Sequence, residues 1–134
     1  MEKKTAYVSS RYAMKDHVRE IHAKLEAIGY SISGDWTRHE SVKPYEENQE
    51  LCAEYSEEDM RDAINSGVFI LISDKAGTGM HTELGGAIAN NIIFKEPLIY
   101  VIGDHLDSSM FFFHPSVRRR KTIEEVIEEL KASA

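Results

Sequence analysis

The chain has 134 residues, 42% of them hydrophobic and 29% charged, with one cysteine and a formal net charge of −7 at pH 7. This length predicts a single domain over residues 1–134, with a core that needs no disulfide or metal. The negative charge argues against a binder of nucleic acid polymers, because that affinity rests on attraction to phosphates. The run Arg118-Arg119-Arg120-Lys121 is a local exception.

The cellular location of the protein is predicted from features that the sequence lacks. The N-terminus has no apolar stretch of the kind a signal peptide needs, and no apolar run is long enough to span a bilayer. The single cysteine, Cys52, fits a reducing compartment. We therefore expect a cytoplasmic protein that does not enter a membrane.

The first half of the chain predicts two short strands and two helices. Residues 6–8 are apolar and predict the first strand, and apolar side chains then recur at helical spacing over 18–28 until a glycine ends the helix. Residues 30–32 alternate like a second strand. The polar stretch 37–48 predicts a loop long enough to be functional, and 56–65 predicts a helix that begins with a capping pattern.

The second half predicts three more strands and two helices. Residues 68–72 and 98–102 are apolar on both faces, which is typical of parallel strands covered by helices on each side. Residues 110–113 predict a short fifth strand, and 122–130 predict a last helix that starts with a capping box. With right-handed crossovers, this alternation predicts a doubly wound α/β/α sandwich of about five parallel strands in the order 2-1-3-4-5.

The segment GTGMHTELGGA, from Gly77 to Ala87, follows the third predicted strand and predicts a glycine loop that opens a helix. It places Glu83 at the carboxyl edge of the sheet, where open α/β sheets bind ligands, and in the first turn of the helix. Because a helix N-terminus favours an anion, we expect Glu83 to be charged and to act as a catalytic nucleophile. The alternative is that Glu83 only stabilises its helix.

Other common occupants of this fold class lack their motifs. A phosphoacceptor receiver needs acidic residues after the first strand, where this chain has Ser9, Ser10 and Arg11. Neither a G-x-G-x-x-G turn nor a P-loop is present. No cluster of histidine and cysteine has metal-site spacing, so we expect no metal and no other cofactor.

A carboxylate constellation remains, in which Tyr7 lies on the first strand and Asp59 precedes Glu83 by 24 residues. With Gly77 and Gly79 ahead of the glutamate, this pattern resembles the nucleoside 2-deoxyribosyltransferase superfamily. That superfamily also includes the 2'-deoxynucleoside 5'-phosphate N-hydrolases. The resemblance runs from the first strand to the end of the fourth, which is most of the chain.

The resemblance implies a flavodoxin-like fold and cleavage or transfer of the N-glycosidic bond of a nucleoside or nucleoside 5'-monophosphate. Glu83 would attack or stabilise the anomeric carbon, Asp59 would hydrogen-bond the base or leaving group, and Tyr7 would orient Glu83. A carboxylate suits this chemistry because bond breaking builds positive charge on the sugar. Taken alone, the pattern around Asp59 favours a capping role beside Ser56. The alternative for Tyr7 is a strand residue whose hydroxyl is satisfied.

The substrate-binding candidates are Ser9, Ser10, Arg11, Trp36, Gly77, Thr78, Gly79, Ser108 and Ser109. The first three could bind a 5'-phosphate, and the glycine loop offers backbone N–H groups at a helix N-terminus. Trp36 could stack on a base or pack in the core. By the resemblance, Ser108 and Ser109 would complete the pocket of a neighbouring subunit.

The run 111–113 is three consecutive phenylalanines, which cannot all face one core if the segment is extended. We therefore expect a homodimer or a higher homo-oligomer with one face of this run at the interface or the pocket. Two other functions remain open for the same chain. One is an NAD glycohydrolase that releases nicotinamide, and the other is a non-catalytic module that binds a nucleotide as a sensor.

Overall fold

The computed structural model describes residues 3–133. Within them five parallel strands form one sheet in the order β2-β1-β3-β4-β5, which confirms the predicted doubly wound architecture. The strands are β1 (Thr5–Ser9), β2 (Ser31–Ile32), β3 (Val68–Ile72), β4 (Leu98–Ile102) and β5 (Val117–Arg120).

Four α-helices surround the sheet. They are α1 (Lys15–Ala27), α2 (Gln49–Asn65), α3 (Gly79–Phe94) and α4 (Ile123–Ala132). Helix α1 contacts α4, and α2 packs against α3, the pairing expected when two helices cover each face of a parallel sheet. None of these helices is long and apolar enough to cross a membrane.

The core lies around the three central strands. All five residues of β3 are buried, as are Tyr7 on β1 and Tyr100 on β4. Burial on both faces explains why the β3 and β4 runs are apolar throughout rather than alternating. Helix α4 begins as the sequence predicts, because Thr122 Oγ1 accepts a hydrogen bond of 3.2 Å from the backbone N–H of Glu125.

The predicted start of α2 is wrong. The helix begins at Gln49, two turns before Ser56, and the Ser56 hydroxyl donates back to the Ala53 carbonyl within the helix. Four of the seven added residues are exposed and none is buried, so the segment does not carry the strong apolar stripe of a core-facing helix. Asp59 is therefore an interior helix residue, and its capping role is excluded.

The predicted fifth strand is also wrong. Residues Met110–Phe113 form a 3-10 helix, in which Phe112 is buried and both neighbouring phenylalanines are exposed. The basic run instead supplies β5, at the edge of the sheet. Charged side chains are a common protection of edge strands against pairing with other chains.

Three side chains of the basic run also have partners within the chain. The Arg120 guanidinium forms an ion pair with Glu129 of α4. Arg119 lies over the Phe113 ring, 3.9 Å from its centroid. Lys121 Nζ lies 2.7 Å from Asp104 Oδ1. These contacts explain a cluster of positive charge without a phosphate ligand.

Candidate active site

Tyr7 and Ser9 point two hydroxyls at one carboxylate from the carboxyl end of β1. They are two residues apart on the strand, so their side chains lie on the same face of the sheet. Tyr7 Oη donates to Glu83 Oε2 over 3.0 Å, and Ser9 Oγ donates to Glu83 Oε1 over 2.6 Å. Both donors are fully buried. Each oxygen of Glu83 therefore has its own fixed hydrogen-bond donor.

The predicted position and charge of Glu83 both need correction. Because α3 begins at Gly79 after the N-cap Thr78, Glu83 lies in the second turn, where the helix dipole has faded. Burial dominates instead and raises the pKa of Glu83 to about 7, against the hydrogen bonds from Ser9 and Tyr7. The nearby charge of Asp59 raises this pKa further. Protonated and ionised forms of Glu83 are both populated near neutral pH.

Tyr7 remains a neutral donor at every physiological pH. Burial is the main cause that raises the pKa of its hydroxyl, and the charges of Glu83 and Asp59 add to it. Its ring stacks on Phe69 of β3 with centroids 6.0 Å apart and an interplanar angle of 10°. Tyr7 is thus held by the sheet and can only donate to the carboxylate in front of it.

Asp59 reaches the site from α2. Burial raises its pKa to about 6, the charge of His39 lowers it, and Asp62 and Glu58 raise it. Because the charge of Asp59 also raises the pKa values of Glu83 and Tyr7, the three groups belong to one electrostatic cluster.

A glycine in α3 lets the helix of Asp59 approach the helix of Glu83. A Cβ at Gly86 would lie 2.4 Å from Met60 Sδ and 3.2 Å from Ile64 Cγ2, both on α2. The missing side chain therefore permits the close contact of the two helices. This packing places Asp59 and Glu83 on neighbouring elements.

His39 is a further site residue that the sequence did not single out. Its ring stacks on Tyr55, with centroids 3.7 Å apart and planes at 2°. Its Nδ1 lies 3.6 Å from Asp59 Oδ1, and its Nε2 lies 3.5 Å from Glu58 Oε2. The sequence does contain a signal, since the long polar stretch 37–48 predicts a functional loop. Tyr55, Glu58 and Asp59 also share a helix face at i, i+3 and i+4, but the wrong helix start concealed that pattern.

The three residues at and just after the end of β1 that were predicted to bind phosphate differ in what their side chains contact. The Ser9 hydroxyl is committed to Glu83, so Ser9 belongs with the carboxylate rather than with a ligand. Ser10 Oγ donates to the backbone carbonyl of Arg11 over 2.8 Å. The Arg11 guanidinium is exposed and lies 3.5 Å from Asp74 Oδ2. Arg11 thus offers a cationic side chain two residues after the end of β1 in the chain.

The glycine loop lies against Arg11. Gly77 has a φ of 109°, which a residue with a side chain adopts only under strain, and a Cβ there would lie 3.0 Å from Arg11 Cγ. Thr78 is the N-cap of α3 but makes no side-chain capping bond. Around Gly79 the space for a Cβ is open. The start of α3 thus combines backbone donors with a neighbouring guanidinium.

Three of the predicted substrate-binding side chains instead hydrogen-bond to backbone groups of the chain: Trp36, Ser108 and Ser109. Trp36 is 7% exposed, and its Nε1 donates to the Val8 carbonyl over 2.6 Å, which favours the core alternative over base stacking. Ser108 Oγ donates to the His105 carbonyl, and Ser109 Oγ caps the following 3-10 helix. Across residues 3–133, neither serine hydrogen-bonds to Glu83.

In the same described part of the chain, no group of three or more histidine, cysteine, aspartate or glutamate side chains is arranged to hold a metal ion.

Comparison with solved structures shows a likeness in fold. Neither the protein-family models nor the curated proteins contain a match to this sequence. Among solved structures, the chain is similar to the CMP N-glycosidase BcmB of Clostridium botulinum, with a TM-score of 0.58. The alignment covers 96% of this chain and 98% of that one, at 14% identity. This likeness establishes a shared fold across nearly the whole chain.

Proposed function

We propose that the protein cleaves or transfers the N-glycosidic bond of a nucleoside or nucleoside 5'-monophosphate, with Glu83 as its catalytic carboxylate. The observation that carries the proposal is the pair of hydrogen bonds from Tyr7 and Ser9, one to each oxygen of Glu83, at the carboxyl edge of the sheet. The shared fold with a CMP N-glycosidase supports the same chemistry.

Glu83 acts on the sugar. Breaking the glycosidic bond gives an oxocarbenium-like transition state, which a carboxylate captures or stabilises. The burial that raises the pKa of Glu83 also removes water from the ionised form, so its attraction to a cation is weakly screened. Tyr7 and Ser9 keep the carboxylate in one orientation, so little reorganisation is needed when the charge develops.

Asp59 binds the base, whereas Arg11 and the start of α3 bind a 5'-phosphate. With a pKa of about 6, Asp59 is mostly ionised at neutral pH and accepts a hydrogen bond from a base N–H group. A 5'-phosphate would bind the backbone N–H groups near Gly79 and the Arg11 guanidinium, a common arrangement for anions.

We also propose that the protein forms a homo-oligomer. The exposed side chains of Phe111 and Phe113 offer apolar surface next to Ser108 and Ser109 in the chain. In a dimer that covers this surface, the two serines would reach the partner's pocket.

The test is release of free base, followed by chromatography, from a panel of nucleosides, nucleoside 5'-monophosphates and NAD, with and without an acceptor base. Wild type is compared with Glu83→Gln and with Glu54→Gln, an exposed glutamate on α2 that serves as the matched control. The proposal expects release by wild type and by Glu54→Gln, and loss of release in Glu83→Gln. Nicotinamide release alone would point to an NAD glycohydrolase, and binding without turnover to a sensor.

A further inference from the structure

His39 is held in place by contacts on two sides. Its ring lies flat on Tyr55, with a centroid distance of 3.7 Å. Its backbone carbonyl accepts a hydrogen bond of 3.1 Å from Tyr12 Oη, which ties the loop to the segment after β1. The side chain is 21% exposed, so it is neither a core residue nor a freely moving surface group.

Both ring nitrogens of His39 face carboxylates. Nδ1 lies 3.6 Å from Asp59 Oδ1, and Nε2 lies 3.5 Å from Glu58 Oε2. Glu58 is exposed and can turn away into solvent, whereas Asp59 is half-buried and fixed on the helix that packs against α3. The imidazole therefore has one nitrogen beside a fixed carboxylate and the other beside a carboxylate that a ligand can displace. This arrangement suits an oriented proton donor.

We propose that His39 donates the proton to the departing base through Nε2, and that Asp59 orients the imidazole through Nδ1. This inference rests on the proposed function of the same site and adds the group that completes the leaving-group chemistry. The base displaces Glu58 from Nε2 when it binds. Asp59 Oδ2 remains available for a hydrogen bond from the same base.

The proton and electron balance is complete with these groups. The bond between the anomeric carbon and the base nitrogen breaks, and its electron pair goes to the base. A base nitrogen takes the proton from Nε2 of protonated His39, which leaves a neutral imidazole. Glu83 captures or stabilises the sugar cation until water attacks. The proton that this water loses returns to His39, so a nucleoside and water give a base and a sugar.

The ionisation of the neighbouring groups supports a donor other than Asp59. With a pKa of about 6, the Asp59 carboxyl carries a proton in only a minor fraction of molecules at neutral pH. Two further charged groups interact electrostatically with His39. They are Glu58 and Asp62, both on α2. Asp59, Glu58 and Asp62 are all carboxylates of α2.

The activity test compares kcat and KM across pH for wild type, His39→Gln and His17→Gln. His17 is an exposed histidine on α1 and serves as the matched control. We expect His39→Gln to lose about 100-fold in kcat with little change in KM, and to lose the alkaline fall in kcat that marks a donor acid. His17→Gln should behave like wild type. An alkaline fall that persists in His39→Gln, with kcat within a few fold of wild type, would overturn the proposal.

A double variant separates the donor role from a structural one. If His39 and Asp59 act as a unit, His39→Gln combined with Asp59→Asn should lose little more kcat than the worse single variant. Independent, additive losses would contradict the dyad.

A measurement without substrate distinguishes failure of this inference from failure of the proposed function. Carbon-13 NMR of the Asp59 carboxyl follows its titration directly. Because the charge of His39 lowers the pKa of Asp59, His39→Gln should raise that pKa above about 6, and His17→Gln should leave it in place. No rise would refute the pair itself. A rise in a protein that releases no base would retain the pair but remove the donor role together with the proposed function.

Discussion

Replacing Glu83 with glutamine should stabilise the protein at alkaline pH. Burial raises the pKa of this carboxyl from 4.5 to about 7, so the folded state holds the proton more tightly than the unfolded chain does. Below pH 4.5 both states are protonated and the difference has no effect. Between about pH 4.5 and 7 the unfolded chain gives up this proton while the folded state keeps it, so the folded state progressively loses about 3 kcal/mol of stability. Glutamine carries no charge and avoids this loss.

The assay is urea unfolding of wild type and Glu83→Gln at pH 5 and at pH 8.5. The stability advantage of Glu83→Gln should grow by about 2–3 kcal/mol between the two pH values. Glu54→Gln, which alters an exposed glutamate, should show no such growth. An advantage of Glu83→Gln that stays constant or shrinks with pH would mean that the carboxylate is well solvated, and the reasoning about its burial would fail.

Three further predictions concern Tyr7, the glycine loop and Trp36. Tyr7→Phe removes a donor to the ionised carboxylate and should raise the pKa of Glu83 further, so that the rise of kcat/KM with pH moves by about one unit or more to higher pH. Gly77→Ala, at a φ of 109°, should cost about 1–2 kcal/mol in urea unfolding, whereas Gly79→Ala meets open space and should cost less. Trp36→Phe loses the indole hydrogen bond to β1 and should lower stability by about 1–3 kcal/mol while KM stays unchanged, since this ring packs in the core.

The fold was predictable because its strongest signals are local. The strands Val68–Ile72 and Leu98–Ile102 are buried on both faces, so each shows as an unbroken apolar run. The handedness of crossovers then limits the strand order. The edge strand Val117–Arg120 escaped prediction because none of its residues is buried, and its sequence reflects solvent and neighbouring charges rather than burial.

The sequence singled out Tyr7, Asp59 and Glu83, which the structure brings into one electrostatic cluster, but it did not predict how Glu83 ionises. Glu83 stood out because a carboxylate after a strand and a glycine loop is unusual, and the resemblance then pointed to Tyr7 and Asp59. The pKa of Glu83 could not be inferred, because burial by distant parts of the chain sets it and the dipole of its own helix does not. The sequence marked the loop 37–48 but not His39 within it, since this residue meets Asp59 only after the loop folds over α2.

The measurement that tests the account most directly is the single-turnover rate of base release at pH 8 from the best substrate of the panel. At this pH most of Glu83 is ionised in wild type. The account predicts that Glu83→Gln binds the substrate and releases base at least about 100-fold more slowly, with Glu54→Gln at the wild-type rate. Release by Glu83→Gln at a rate close to that of wild type would show that Glu83 is not the catalytic carboxylate.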